Sequence, residues 1–500
     1  MSALDDLRAS LDQALARVED CLRPLASAAS TAPAAADPPW LASYDVETRY
    51  VGPPGAPPTR VAYVQTLVDS NRLWREVLAP LSSGRWTVDS LPGAHPVADA
   101  TDLTHHMLSG SAALWADGGG GPSVIDVRAT LGRPVGEATV ESAVAGPRQA
   151  FVERLDTNVG LIRDHLRDPA LRVDCVEVGR RSRTQVGLLY VADVAAPHLV
   201  ERARSGLENI AVDNVRSAAD VASELYAGTW TPFPLVEMTE RPDKVIAALA
   251  DGRVALLPDG SPFAIVVPTN VWRFVQDSEI AILGSAPAAF ARVLRLVGLF
   301  AATGLAGLYV ATTSSTTTVL PIRLAVNVSA SRFGVPYPPL TEALLALVIA
   351  DVLVEATVQA SKNIGNALTI VGTLIIGQMM VQARLASDLM LVVVAMTVLG
   401  SFLTVSAPMS YALRIWKYVL VLGAGIGGVA GWVGAWLLLL GHMAGLKSAG
   451  TPYLSPFGPV HLGEIWRYGM QPLPPGGRRL RPASWRPREA VRARPEVQSP

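Results

Sequence analysis

One set of polar residues in this chain has the type and spacing to do chemistry: Asp351, Glu355, Gln359 and Asn363. Each follows the last by four positions, so on a helix they make a single stripe, one turn apart. Leu344, Leu345, Val348, Ile349 and Val352 supply the apolar faces of the same helix. Carboxylates on so apolar a helix are costly, and such groups usually face a bundle interior or a water-filled path. The chemistry they offer is compensation of a passing cation's charge, with no bond made or broken. An amphipathic helix lying flat at a membrane surface, its stripe among the headgroups, has the same spacing.

The remaining candidates for chemistry are poor. His105 and His106 are adjacent, and adjacent side chains diverge. The Gly118–Gly121 run lacks the Lys-Ser/Thr of a phosphate loop, and no nucleophile elbow frames a serine. Cys21 and Cys175 stand far apart, outside any metal-ligand or CxxC spacing. Gly423, Gly425 and Gly428 match G-x-G-x-x-G, but inside a long apolar run. There Gly423, Gly427 and Gly431, followed by Ala435, repeat every four residues, the small-residue pattern that lets helices approach closely. No catalytic constellation, cofactor or metal is expected. A net charge of −1 over 500 residues excludes the basic footprint of a nucleic-acid binder.

The elements that would hold the stripe are membrane helices. Apolar runs cover about 293–312, 368–384, 389–408 and 415–442, each near the ~20 residues that cross a bilayer. The stripe helix, about 340–360, falls between the first two. Ahead of this membrane domain (293–446) comes an amphipathic helix over 1–25, an Ala/Ser/Thr/Pro linker over 26–39 and a soluble domain over 40–280. In that domain, strands are expected at 60–67, 124–128, 173–178, 184–191, 254–257 and 263–267, with a further short one within 211–219. Helices are expected at 69–78, 147–167, 197–210, 220–226 and 243–250. The alternation gives an α/β or α+β fold, in two subdomains divided near 129–145. It is followed by an α-helical polytopic membrane domain and a Pro/Arg-rich tail over 447–500. Residues 1–23 lack the apolar core of a signal peptide. The soluble domain and the arginine-rich tail are therefore both expected on the cytoplasmic side, which requires an even number of crossings. Arg414 and Lys417 would then fall on the outer side.

Several segments carry a family resemblance. They are Gly146–Glu153 continuing through Asn158 to Arg163; Thr239-Glu240-Arg241-Pro242-Asp243; Asp251–Val254 with Asp259–Phe263 and Val267-Pro268; and Val335–Pro338. Glu342, Glu355-Ala356, Ile370–Gly372, Ile376–Gln378 and Pro452–Pro456 follow in the same order. Together they resemble the A subunit of GerA-type spore germination receptors. The resemblance implies a protein of the spore inner membrane that assembles with B and C subunits, and as several copies of itself, into a nutrient receptor that releases ions. A subunit that only assembles or anchors the receptor is the alternative. Departures gather near the stripe. Gln276–Glu279 lacks the family's tyrosines, Val354 replaces its common arginine, Ala360-Ser361 stands where a proline is expected, and Thr312–Thr318 replaces a more acidic loop.

Overall fold

The computed structural model describes residues 43–53, 57–97, 99–116, 121–129, 149–274, 285–314, 321–360, 377–403, 406–455 and 457–458. The expected N-terminal helix and linker, Asn363, most of the run 368–384 and most of the tail lie outside them. The first subdomain is an antiparallel sheet of β1 (Val46–Val51), β2 (Thr59–Val64), β3 (Ala94–Pro96), β4 (Ser111–Ala116) and β5 (Ser123–Asp126), ordered β1-β2-β4-β5-β3. Successive side chains point to opposite faces. Val61, Tyr63, Leu114 and Ile125 pack with Leu73, Val77 and Leu81 of α1 (residues 70–82), whose middle turn is π-helical. Ala62, Ala113 and Val124 meet Leu103 and Met107 of α2 (Ala100–Met107).

The second subdomain repeats this plan. Its sheet comprises β6 (Leu171–Val178), β7 (Thr184–Val191), β8 (Glu237–Thr239), β9 (Val254–Pro258) and β10 (Ala264–Val267), ordered β6-β7-β9-β10-β8 and antiparallel throughout. On one face Leu171, Leu189, Ala255 and Leu257 meet α3 (Leu155–His165) and α6 (Pro242–Ala250). On the other, Val186, Leu188, Val254 and Leu256 meet α4 (Pro197–Glu208) and α5 (Ala218–Leu225). Both faces are buried, so the inner strands β9 and β10 read as continuous apolar runs, and each buried Leu or Val contributes about 1.5–3 kcal/mol. The expected helix 147–167 begins only at Leu155, because Asn158 bonds both the N–H and the C=O of Val152 and holds that segment extended. Residues 211–219 form no strand; Ser217 instead caps α5.

The two subdomains are locked by a buried ion pair. Arg163 of α3 donates to both oxygens of Asp45, at 2.7 and 2.8 Å, and to Ser43 at 3.1 Å. Beside it the Tyr44 N–H donates to Val173 O at 2.8 Å.

The C-terminal part is helical: α7 (residues 285–314, with a π turn at Ala301–Leu305), α8 (Ile322–Ser331), α9 (Pro339–Gln359), α10 (Gly377–Gln382), α11 (Asp388–Phe402) and α12 (Ala407–Gly445). Among the described residues, two helices are long and apolar enough to cross a membrane, Ala289–Ser314 and Ala407–Gly445, and Asp388–Phe402 is a shorter apolar helix. The run 415–442, expected as one span, is not straight. Gly428 adopts φ 57°, ψ −137°, a conformation open to glycine, and the helix folds back on itself there. In a straight helix Trp416 and His442 would stand about 39 Å apart; their rings are 5.6 Å apart. α12 is therefore a hairpin of two antiparallel arms, 407–427 and 429–445. Its tip lies near Leu340, beside which Gly425 packs. Its open end lies under the second subdomain, where Phe233 stacks on Trp416 at 6.4 Å and tilts against His442 at 6.1 Å.

The start of the expected tail is folded. β11 (Lys447–Ser448) and β12 (Thr451–Pro452) form a small hairpin under the second sheet. Ser448 Oγ donates to Leu235 O at 2.7 Å and accepts from the Thr269 N–H at 2.9 Å. Val271 N–H donates to Tyr453 O at 3.1 Å.

Candidate functional site

Pro339 occupies the first turn of α9, where its missing N–H costs nothing and its fixed φ suits a helix. From there 21 residues run antiparallel to the first arm of α12. Asp351 accepts from Lys417 Nζ at 2.8 and 2.9 Å and from Tyr418 Oη at 2.6 Å. One turn on, Glu355 accepts from Tyr411 Oη at 3.1 Å and from Gln359 Nε2 at 3.4 Å, with Arg414 NH1 at 3.7 Å. Two ladders therefore face each other: Asp351, Glu355 and Gln359 on α9, and Tyr411, Arg414, Lys417 and Tyr418 on α12. The Lys417 side chain is only 3% exposed, so its charge depends on Asp351 for compensation. A small crevice lined by Asp351, Thr397, Ser401, Ser410, Arg414 and Lys417 lies beside the pairs.

A second polar centre lies at the other end of α9. Glu342 is fully buried and accepts from the Ser387 N–H at 2.7 Å, from Ser387 Oγ at 2.6 Å and from Arg332 Nε at 3.2 Å. Ser387 Oγ in turn lies 3.1 Å from Tyr309 Oη. This centre joins α7, α9 and α11, so Glu342 acts as a tie between helices.

The glycine stripe is divided by the bend at Gly428. Gly423 and Gly431 oppose each other across the hairpin: a Cβ on Gly423 would fall 2.9 Å from Gly431 O and 3.1 Å from Ala435 Cβ. Gly427, expected on the same packing face, has nothing within 4 Å of such a Cβ, because it lies at the tip where the chain turns.

The Thr239–Asp243 segment is structural in character. Thr239 ends β8 and its Oγ1 accepts from the Arg241 N–H at 3.1 Å; Glu240 O accepts from the Phe151 N–H at 2.8 Å. Arg241 donates to both oxygens of Asp243, at 3.1 and 2.8 Å, and Pro242 begins α6. Nearby, burial works to raise the Glu237 carboxyl, but the Arg253 and Arg273 guanidiniums outweigh it and hold it at about 2. Arg253 also donates to Pro268 O at 2.7 Å, tying this charge cluster to the segment that meets β11. Burial, with Asp156 and Asp259, pushes the Cys175 thiol up to about 11, which favours the protonated form. Among the described residues, no group of three or more His, Cys, Asp or Glu could hold a metal ion.

The counter-charges on α12 are what sequence reasoning missed. Tyr411, Arg414, Lys417 and Tyr418 recur at helical spacing in an otherwise apolar run, which is the complement of the α9 stripe.

Comparison with known proteins accounts for most of the chain. The family described as Bacillus/Clostridium GerA spore germination protein matches residues 42–481. Spore germination protein B1 of Bacillus subtilis is 31% identical over 405 residues, covering 79% of this chain and 84% of the relative. Spore germination protein A1 of the same organism is 32% identical over 365 residues, covering 73% and 76%. Among solved structures, the N-terminal domain of the A subunit of the Bacillus megaterium spore germinant receptor GerK3 is 24% identical. It covers 45% of this chain and 89% of that one, with a TM-score of 0.35. With the motif order and the extent of the match in agreement, the chain belongs to the GerA family of spore germination proteins.

Proposed function

We propose that this chain is the A subunit of a nutrient germinant receptor. It works with B and C subunits in the inner membrane of the spore, and several copies form a gated cation path lined by α9. The observation that carries the reading is the pairing of Asp351 and Glu355 with Lys417 and Arg414 between otherwise apolar helices. Ionisable groups in such a setting face a bundle interior or a water-filled path. Paired, the stripe is close to neutral and offers a cation little. If α9 moved away from α12, the carboxylates would be bared as successive rings, which is how cation channels offset an ion's charge. The same pairing favours the second reading, an assembly subunit in which these ions only join helices.

Membrane embedding is supported by the outward faces. Val348, Val352 and Val358 of α9, Val392, Leu399 and Phe402 of α11, and Leu437 and Leu438 of α12 are large, apolar and exposed. Helices α7, α9 and α11 and the two arms of α12 run between the same two levels. Counting the expected span 368–384 as one further crossing gives six passes. An even number keeps the soluble domain and the tail on one side. In this arrangement Arg414 and Lys417 flank Trp416 towards the open end of the hairpin, so they fall on the side of the soluble domain and not, as a single span would have it, on the outer side.

The test is ion efflux from spores or liposomes carrying Asp351→Asn, Glu355→Gln and Lys417→Met together. Removing both partners avoids stranding the buried ammonium, whose loss of a partner alone would cost about 3–5 kcal/mol. Receptor accumulation is expected to be normal and monovalent cation release to fall about tenfold or more, equivalent to ~1.4 kcal/mol on the barrier. Normal release at normal protein level would leave only the assembly role.

A further inference from the structure

We propose that the loop from Ala227 to Leu235 is a membrane-interface anchor. Trp230 is seated among the lipid headgroups and upper acyl chains on the side of the soluble domain. The proposal rests on the multi-pass reading above and adds a defined lipid contact to it. Trp230 is 92% exposed, although the loop that carries it is firmly held. Thr231 Oγ1 lies 3.0 Å from His442 Nε2 in the last turns of α12, and Phe233 is stacked between the two arms. The backbone that carries the indole is thereby held near the level of His442. That level is where the outward leucines of the second arm, Leu437, Leu438 and Leu440, come to an end. No charged residue occurs from Leu225 to Val236, so the loop can approach hydrocarbon without desolvating an ion. An indole has an apolar body and one N–H that needs a wet partner, which is why Trp collects at membrane–water boundaries. A bilayer edge at this level satisfies both ends.

Depth-dependent quenching tests the assignment. The full-length chain with Cys21→Ser and Cys175→Ser would carry one cysteine, at Trp230→Cys, Leu438→Cys or Arg181→Cys, labelled with an environment-sensitive fluorophore. All three positions are exposed, so the replacements do not disturb a core. Liposomes of phosphatidylcholine and phosphatidylglycerol would contain doxyl lipids labelled either near the headgroup or deep in the chain. At position 230 the shallow quencher is expected to remove more emission than the deep one. At 438 the deep quencher should dominate, and at 181, on the turn between β6 and β7, neither should act. If 230 behaved like 181 while 438 was quenched, the anchor would be overturned and the membrane reading would stand. That is also the result if a protein partner covers Trp230. If 438 was unquenched, both would fall.

Discussion

Asp45 and Arg163 show how one residue pair can hold two subdomains. Both side chains are essentially without solvent access, and the guanidinium is bidentate on the carboxylate, the strongest geometry such a pair adopts. Ser43 completes the set: its hydroxyl donates to Asp45 at 2.7 Å and accepts from Arg163 and from the Val173 N–H, both at 3.1 Å. The value of the arrangement is specificity of docking more than net stability, because both ions had to leave water. Removing one partner should therefore be far worse than removing both. Arg163→Met is expected to cost about 3–5 kcal/mol, while Asp45→Leu with Arg163→Met should recover much of that loss. Hydrogen exchange at the Tyr44 and Val173 amides in the full-length chain would read this locally, where a global unfolding midpoint would not be well defined. Equal loss of protection in the single and double variants would refute it.

Among the elements, the α12 hairpin departs furthest from expectation. Small residues every four positions normally mean that one continuous helix face packs on a neighbour. Here the face is used twice, once on each arm, and Gly423 meets Gly431 within the same element. The break is marked in the sequence only by the Gly427-Gly428 dipeptide, and because Gly427 also continues the small-residue pattern, that mark is masked until the positive φ of Gly428 is seen in the backbone. The consequences for substitution are opposite at neighbouring glycines. Gly431→Leu would drive a side chain into the Gly423 carbonyl, an overpacking expected to cost about 1–3 kcal/mol or more and to lower the amount of folded protein in the membrane. Gly427→Leu meets open space and should accumulate normally. Quantitative blotting of membranes from the two variants checks the contrast, and equal depletion would argue against the hairpin. Elsewhere, legibility followed burial pattern. β9 and β10 announce themselves as unbroken apolar runs, and β7 does so from Val186 onward. β4, Ser-Ala-Ala-Leu-Trp-Ala, is too rich in small residues to read as a strand, and β3 is three residues ending in proline.

Across the whole molecule, legibility failed where distant segments meet. Periodicity displayed the Asp351/Glu355 stripe, but its partners lie 56 to 67 positions away and are found only once α9 and α12 are side by side. The same limit applied to topology. Hydropathy counts apolar residues, and 415–442 has enough for a single crossing, so the hairpin was counted once. In the fold, the first arm rises from Ala407 to the tip and the second returns to Gly445, each near or just short of the ~30 Å of a hydrocarbon core. The two pictures differ sharply at one residue. In a single span, Ile426 would lie near the middle of the bilayer; in the hairpin it is at the tip, exposed, on the face opposite the soluble domain. In sealed vesicles carrying the chain with Cys21→Ser and Cys175→Ser, a membrane-impermeant maleimide should reach Ile426→Cys from one side only. It should reach Arg181→Cys from the other side only. A cysteine at 426 that reacts from neither side would restore the single span. One that reacts from the same side as 181 would place the tip back beside the soluble domain and take both arms of α12 out of the proposed count of passes.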